Sequence, residues 1–270
     1  MRSWSSALPG AIPKSPRFLS LRWANNAGFL HSLMTAGLPF PLTIVVPAFN
    51  EEALLADTVR GLRNAVAALR LRAEIIIVND GSRDRTGAIA DELAANDPDL
   101  KVCHQANQGL GGALRTGIAA ARGEYVLTWP ADMPVEAEDL APFTARLGTA
   151  DVLVGVRSRR AGYGPLMRLN SWIYPRIVAS LFDLRLRDVN WIHLYRTALI
   201  RQVSLTQRGI PMLVEALVRL RDRGATFAEV PSEMKPRTAG VASASRFKVM
   251  RRTIVGLLRF WREWRRERKL

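Results

Sequence analysis

Two consecutive segments repeat one pattern, and this repetition constrains the fold more than any other feature of the sequence. In each segment a β-branched run ends in a polar turn, and apolar residues at helical spacing follow. The first run, 44–46, is predicted to end at Pro47, and the second strand, 74–78, is followed by the turn 79–82. Such runs are typical of strands buried on both faces of a parallel sheet. The sequence therefore predicts an open α/β sheet with helices on both faces and a ligand crevice at the carboxyl ends of the strands.

Polar residues at the two turns are predicted to start the helices that follow. Asn50 is placed to cap a first helix whose opening turn carries Glu51 and Glu52, where negative charge is favourable. Asp84 or Ser82 is placed to cap the second helix. Both turns would then present polar side chains at the same edge of the sheet.

These two segments resemble a known family. Residues 44–52, Ile-Val-Val-Pro-Ala-Phe-Asn-Glu-Glu, and 75–86, Ile-Ile-Ile-Val-Asn-Asp-Gly-Ser-Arg-Asp-Arg-Thr, are similar to the opening of inverting family 2 glycosyltransferases. Within that family they most resemble dolichyl- and polyprenyl-phosphate sugar transferases, and the resemblance spans 42–245. It implies the GT-A fold, which has a Rossmann-like, mostly parallel central sheet with helices on both faces. It also implies transfer of a sugar from a nucleotide-diphosphate donor to a polyprenyl phosphate.

The resemblance also implies a set of donor-binding residues. Asp80 and Glu51 would accept hydrogen bonds from the base or ribose, and Ala131 would flank the diphosphate beside Asp132. The residues expected to hold the nucleoside are Pro47, Phe49, Glu51, Val78 and Asp80. The glycine-rich loop 107–112 either makes a tight turn or approaches the diphosphate, and the sequence leaves both interpretations open.

A divalent cation site is expected at Asp132. The family has Asp-x-Asp at this place, whereas this sequence has Pro130 in the first position and keeps only Asp132. One carboxylate can still hold Mg²⁺ or Mn²⁺ when substrate phosphates complete the shell. The alternative is that Asp132 is an ordinary turn or capping residue.

Three further residues are implied as catalytic by the resemblance. Arg157 stands where the family often has an arginine facing the donor, and His193 stands where a basic residue is usual. Arg237 matches the arginine of an Arg-x-x-Gly-x-Ser-Lys loop. A lone histidine is more often structural, so a phosphate contact by His193 is one of two alternatives.

Helix 165–182, which Pro175 should kink or break, is expected either near the acceptor or in the core.

The net charge of +15 is concentrated at the two ends of the chain. Residues 246–270 hold ten Lys and Arg against two Glu, with apolar residues at helical spacing, and 1–40 hold four Lys and Arg without an acid. This distribution of positive charge indicates anionic partners, either lipid headgroups or nucleic acid. Nucleic acid is disfavoured because the apolar stripe of the tail is continuous. The tail is predicted to lie in a membrane interface with Trp261 and Trp264 at headgroup depth. The alternative is that it packs on the domain or on another subunit. Its apolar run is too short to span a bilayer.

These observations divide the chain into a flexible basic extension (1–40), a glycosyltransferase domain (41–245) and a basic, membrane-peripheral amphipathic helix (246–270). No secretory leader is evident, and Met34 offers an alternative start. A single cysteine, Cys103, excludes an internal disulfide and most cysteine metal sites, and fits a cytoplasmic setting on the inner face of a membrane.

The leading hypothesis is an enzyme that uses a UDP- or GDP-sugar, a divalent cation and a dolichyl or undecaprenyl phosphate acceptor. Such an acceptor is already an ionised nucleophile, so the enzyme must chiefly position it and stabilise the leaving diphosphate. One alternative is a family 2 transferase that acts on a sugar hydroxyl of a glycan and needs a general base. Another is a non-catalytic membrane-binding protein on the same fold. Homo-oligomer formation stays open.

Overall fold

The computed structural model describes residues 40–160, 165–234 and 247–268. The strands in these ranges are β1 Leu42–Ala48, β2 Ala73–Asp80, β3 Leu100–Gln105, β4 Tyr125–Thr128, β5 Val152–Arg160, β6 His193–Arg196 and β7 Phe227–Met234. The helices are α1 Leu55–Ala68, α2 Thr86–Ala95, α3 Leu110–Ala120, α4 Ala137–Thr144, α5 Pro165–Phe182, α6 Thr197–Ile200, α7 Pro211–Asp222 and α8 Phe247–Glu267. Arg237 and nearly all of the predicted basic extension fall outside the described residues.

The seven strands form one sheet in the order β3-β2-β1-β4-β6-β5-β7. β1 runs parallel to both β2 and β4, and Val45 lies between Ile76 and Thr128. Only β6 is antiparallel to its neighbours β4 and β5, while β5 and β7 are parallel. This confirms the predicted mostly parallel sheet with helices, and it brings the carboxyl ends of β2, β1 and β4 together at one edge.

The β-branched runs are buried on both faces of the sheet, as the sequence predicts. Val45 and Ile76 belong to the core on one face, and Ile44 and Ile75 to the core on the other, all with 0% exposure. The helical periodicity of α1 places Leu55 and its apolar stripe in the second of these cores. The polar residues that follow the strands are thereby left at the sheet edge.

Pro47 does not end β1, contrary to the prediction. The strand continues to Ala48, and Pro47 pairs with Val78 of β2. Val45 faces β4, because its carbonyl accepts the Trp129 N–H at 2.8 Å, and Pro47 two residues later faces the same way. The pairing with β4 stops at Val45. The missing N–H of Pro47 therefore interrupts no ladder bond.

The predicted cap by Asn50 is also wrong. The first helix starts only at Leu55, and Asn50 instead adopts a left-handed φ of 55°. Its side-chain oxygen accepts the Arg83 N–H at 2.9 Å, while its own N–H donates to Ser82 Oγ at 3.0 Å. The N-cap of the second helix is Arg85, without a side-chain cap, and the predicted Asp84 lies one residue earlier, where its carboxylate accepts the Thr86 N–H at 3.0 Å. The turns after β1 and β2 thus bind each other, which fixes both at the sheet edge.

Pro175 does not break α5, which runs without interruption from Pro165 to Phe182. Its carboxyl end packs on α8: the rings of Phe182 and Phe260 stack at 5.0 Å. Trp264 of α8 is 8% exposed, and its indole N–H donates to Asp222 of α7 at 2.6 Å. The prediction that Trp264 lies at headgroup depth is therefore wrong, and the alternative of packing on the domain holds for this face of α8.

No helix in the described part of the chain is long and apolar enough to cross a membrane.

Candidate active site

A cleft with a volume of about 1200 Å³ opens at the carboxyl edge of β1, β2 and β4. One wall is formed by the strand ends and the glycine-rich loop, and the opposite wall by the segment before α7 and by α8. Six residues predicted from the sequence to hold the donor or the cation line it: Pro47, Phe49, Glu51, Asp80, Ala131 and Asp132. The chain thus brings together most of the predicted donor residues at one place.

Val78 is the exception among the predicted donor residues. Its side chain is 0% exposed and belongs to the core on the helix α3 side of the sheet. A ligand in the cleft cannot contact a side chain buried in this way, so a contact of the nucleoside with the Val78 backbone is the part of this assignment that stays a prediction. Val78 and Asp80 share one face of β2, but Val78 lies two residues inside the strand, where the helix covers it, whereas Asp80 ends the strand at the cleft.

The Asp80 carboxylate holds the glycine-rich loop in place. It accepts hydrogen bonds from Gln105 Nε2 at 2.6 Å, Gln108 N at 2.8 Å and Gly109 N at 2.7 Å. A carboxylate has about four acceptor positions, so about one remains for a ligand. Asp80 therefore has a structural task in addition to the predicted contact with the nucleoside, which stays a prediction.

The glycine-rich loop packs against a second loop that the sequence did not reveal. Gly111 N donates to the Arg208 carbonyl at 2.6 Å, and a Cβ at Gly111 would collide with the Gln207 carbonyl. The second loop is held in turn by the fully buried Glu215 of α7, which accepts the N–H groups of Gln207 and the preceding residue at 2.9 and 2.8 Å. In the sequence, this role is signalled only by the position of Glu215 as a single carboxylate inside the apolar run Pro211–Val218. Gly111 thus allows a close backbone approach, and Gly109 of the same loop lines the cleft.

The ligands available for a cation are few. No group of three or more His, Cys, Asp or Glu that could hold a metal ion occurs among the described residues. Asp132 lines the cleft next to Pro130. One carboxylate beside an open cleft fits Mg²⁺, because that ion binds through one or two carboxylates while phosphate oxygens and waters complete its shell. It does not fit a closed protein cage.

Arg157 lies in a buried ion pair with Asp188. Its Nε and Nη2 donate to the two Asp188 oxygens at 2.7 and 2.8 Å, and the side chains are 6% and 1% exposed. Nη2 also donates to Asn190 at 2.6 Å, and the guanidinium lies over the Trp191 ring at 5.0 Å. Asn190 and Trp191 line the cleft. Arg157 therefore supports the cleft wall from behind, and a direct contact with the donor stays a prediction.

His193 lies in the core and not at the surface of the cleft. It is 0% exposed, and Nδ1 is hydrogen-bonded to the Tyr195 hydroxyl at 2.7 Å. Burial lowers the pKa of His193 from 6.5 to about 4, with Asp188 opposing and Arg157 reinforcing the shift. The imidazole is therefore neutral at physiological pH. A neutral, enclosed ring does not favour the predicted phosphate contact, and it fits the structural alternative.

The shifted pKa of His193 predicts a stability loss in acid. The unfolded chain takes up a proton below about pH 6.5 while the folded chain resists until about pH 4, so stability present above pH 6.5 falls as the pH drops through this window. Between pH 7 and pH 5 the loss is about 2 kcal/mol. Urea unfolding at both pH values should show this drop, and His193→Asn, which keeps an acceptor for Tyr195, should lack it. An equal drop in the two proteins would contradict the assignment.

The comparison with known families decides the classification. The profile of glycosyl transferase family 2 matches residues 43–208, which is more than half of the chain. The chain belongs to glycosyl transferase family 2. This confirms the resemblance drawn from the two strand–turn–helix segments, and the matched region of this family 2 chain contains all six predicted donor and cation residues that line the cleft.

Individual relatives agree with this assignment. The dodecaprenyl-phosphate galacturonate synthase of Rhizobium johnstonii is 30% identical over 66% of this chain and 55% of its own length. The undecaprenyl-phosphate mannosyltransferase of Micrococcus luteus is 31% identical over 74% of this chain and 86% of its own length. The chain spans about half the length of some curated relatives that it matches, the Rhizobium protein among them.

A solved structure confirms the fold. The glucosyl-3-phosphoglycerate synthase of Mycobacterium tuberculosis, crystallised with Mn²⁺, uridine diphosphate and phosphoglyceric acid, superposes with a TM-score of 0.67. The match covers 93% of this chain and 87% of that one at 18% identity. At this level of identity the likeness shows the GT-A fold and no more.

Proposed function

We propose that this protein transfers a sugar from a nucleotide-diphosphate donor to a polyprenyl phosphate. The observation that carries the proposal is a cleft that joins the strand ends, with Asp80 and Asp132, to a wall of α8 that carries arginines. A nucleotide sugar and a lipid phosphate are both anionic, and the cleft offers each of them a separate side. The names of the relatives support the acceptor class, since two of them act on dodecaprenyl or undecaprenyl phosphate.

In the proposed reaction a phosphate oxygen of the acceptor attacks the anomeric carbon of the sugar. The bond from that carbon to the diphosphate breaks with inversion, and the nucleoside diphosphate leaves with the bonding electrons. A phosphate monoester with a second pKa of about 6 is ionised at neutral pH and needs no base. The neutral, buried His193 is a poor general base for a sugar hydroxyl, which favours the phosphate acceptor over a glycan.

We also propose that a divalent cation, Mg²⁺ or Mn²⁺, is bound with the donor. The cation would neutralise the charge that develops on the leaving diphosphate. Asp132 would hold it from the protein side, and the backbone of the neighbouring Ala131 would line the diphosphate. Solved structures of the same fold contain Mn²⁺ or Mg²⁺ together with uridine diphosphate, which supports this choice.

The activity is tested by incubating the purified protein with labelled nucleotide sugars and either undecaprenyl or dolichyl phosphate. UDP- and GDP-linked hexoses should be compared, with Mg²⁺ or Mn²⁺ present. We expect label to move into the organic phase with at least one donor. Transfer to a soluble glycan and not to any polyprenyl phosphate would replace the proposal with the glycan alternative, and no transfer to either acceptor would favour a binding protein.

Peripheral attachment to the inner face of a membrane is part of the same proposal, since a polyprenyl phosphate resides there. Two helices expose large apolar side chains: Leu169 and Trp172 of α5, at 52% and 55%, and Val255 and Leu258 of α8, at 52% and 40%. Exposed arginines such as Arg262 accompany them on α8. Apolar side chains beside cations are the composition of an interfacial helix, because acyl chains and anionic headgroups satisfy both.

The attachment predicts a specific response to substitution. Trp172→Ser combined with Leu258→Ser should weaken binding to anionic vesicles roughly tenfold or more, since each substitution removes an exposed apolar side chain that the membrane would bury. Arg60→Gln on the exposed face of α1 is the control and should leave binding unchanged. Sedimentation with vesicles at low and moderate salt measures both contributions, because salt screens only the charge. Equal binding of the double variant and the parent would contradict the assignment of this surface.

A further inference from the structure

We propose that Arg252 and Arg259 of α8 bind the phosphate of the acceptor, and that Val255 between them contacts the first isoprene units. This inference rests on the proposed function, and it assigns the acceptor side of the cleft to particular residues. All three side chains line the cleft that contains Asp80 and Asp132. The C-terminal helix then forms part of the substrate site in addition to any role as an anchor.

The geometry of α8 places the two arginines on one face. They are seven positions apart, which is close to two helical turns, so their side chains project in nearly the same direction. Gly256 lies on this face as well, and its lack of a side chain allows close packing: a Cβ there would lie 2.9 Å from the Pro211 ring. The buried face with Leu257 and Phe260 anchors the helix on the domain. The arginines are therefore presented to the cleft from a fixed support.

The charges of these arginines are not neutralised by the protein. No hydrogen bond or ion pair of the Arg252 or Arg259 guanidinium is recorded among the residues that the structure describes, and both residues are exposed. Arg219 of α7 differs, since Glu215 and Glu267 bind it at 3.1 and 2.9 Å. Two cations without a protein partner at one side of a cleft attract a dianionic group, and a guanidinium can bind phosphate through two parallel hydrogen bonds.

A route for the lipid chain begins at the same place. A second, smaller cavity of about 500 Å³ on α8 shares Val255, Arg259 and Glu263 with the main cleft, and its other lining residues are Leu258, Arg262 and Arg266. Val255 and Leu258 are half exposed and apolar. A ligand with an anionic head and an apolar chain matches this order along the surface. A free nucleotide or inorganic phosphate would use the arginines without the apolar strip.

The test compares binding of a short probe, geranyl phosphate, to the full-length protein and to two charge-matched double variants. Arg252→Gln with Arg259→Gln removes the proposed phosphate contacts. Arg265→Gln with Arg268→Gln removes two charges from the same helix, at residues that instead stack on Trp261 and Trp264. Calorimetry should show roughly 10- to 100-fold weaker binding for the first variant only. Binding of UDP or GDP should be the same in all three proteins.

The outcomes separate this inference from the proposed function. Equal loss in both double variants, or no loss in the first, overturns the subsite even if the parent enzyme transfers sugar to polyprenyl phosphate. Weaker nucleotide binding in the first variant reassigns the arginines to the donor and also overturns it. Selective loss of geranyl phosphate binding supports the subsite whether or not turnover is found. Inorganic phosphate, tested alongside, should bind far more weakly than geranyl phosphate if Val255 contributes, and Val255→Ser should remove that difference.

Discussion

Replacing Asp132 by alanine is expected to lower sugar transfer about 100- to 1,000-fold, the usual cost of losing one group that stabilises developing charge. Asp132 is the only carboxylate left of the two that the family places here, because Pro130 offers no ligand. The described residues provide no cluster of three metal ligands that could compensate. Turnover with the best donor, measured with added Mg²⁺, checks the effect. Mn²⁺ binding in the presence of UDP or GDP, followed by electron paramagnetic resonance, provides a readout independent of catalysis.

Glu138→Ala is the matched control for Asp132. Glu138 is an exposed carboxylate in the first turn of α4, six residues from Asp132 along the chain and absent from the cleft lining. Its removal should change neither turnover nor Mn²⁺ binding. Full turnover of the parent enzyme in excess EDTA would contradict the proposed cation and would assign charge neutralisation to the arginines.

Replacing Asp188 by alanine is expected to destabilise the protein by about 3–5 kcal/mol, because the variant leaves the Arg157 guanidinium charged and enclosed. Asp188 supplies both oxygens of the pair and is 1% exposed. The free energy of unfolding in urea measures the loss. Since Asn190 and Trp191 are held by the same arginine and line the cleft, donor binding should weaken in the fraction that still folds.

Two variants separate the loss of the charge pair from the loss of packing. Arg157→Met with Asp188→Leu removes both charges and should recover much of the stability, as apolar replacements of buried pairs often do. The exposed pair of Asp57 and Arg60, with side chains 73% and 69% exposed, is the surface control. Asp57→Ala should cost about 1 kcal/mol or less. A similar cost for Asp57→Ala and Asp188→Ala would show that burial of the pair contributes little.

The sequence predicts the position of the carboxyl ends of β1 and β2 well, because local patterns determine it. β-branched runs identify β1 and β2, and the polar residues that follow them, such as Asp80, emerge at strand ends by necessity. It fails where a residue has alternative partners of similar chemistry. Asn50 was suited to cap a helix, but the backbone of the neighbouring turn binds it instead.

The acceptor side of the cleft could not be predicted in the same way. The periodicity of α8 reveals an apolar stripe without indicating whether lipid or protein covers it. In the structure, part of that stripe, including Trp264, packs on the domain. The loop that Glu215 supports contacts the glycine-rich loop across about 100 residues of sequence, since Gly111 donates to Arg208. Contacts at such separation leave no local pattern.

The order of the strands has a consequence for how the chain reaches its native state. β1, β2 and β3 are contiguous in sequence and neighbours in the sheet, so they can pair with short loop closures. β4 joins β1 only after the chain has passed β2 and β3, and β6 must insert between β4 and β5. Distant pairings form slowly because their closure entropy must be overcome first. The carboxyl ends of β1 and β2 can therefore come together early, whereas the complete cleft forms only after the last strands and helices have folded.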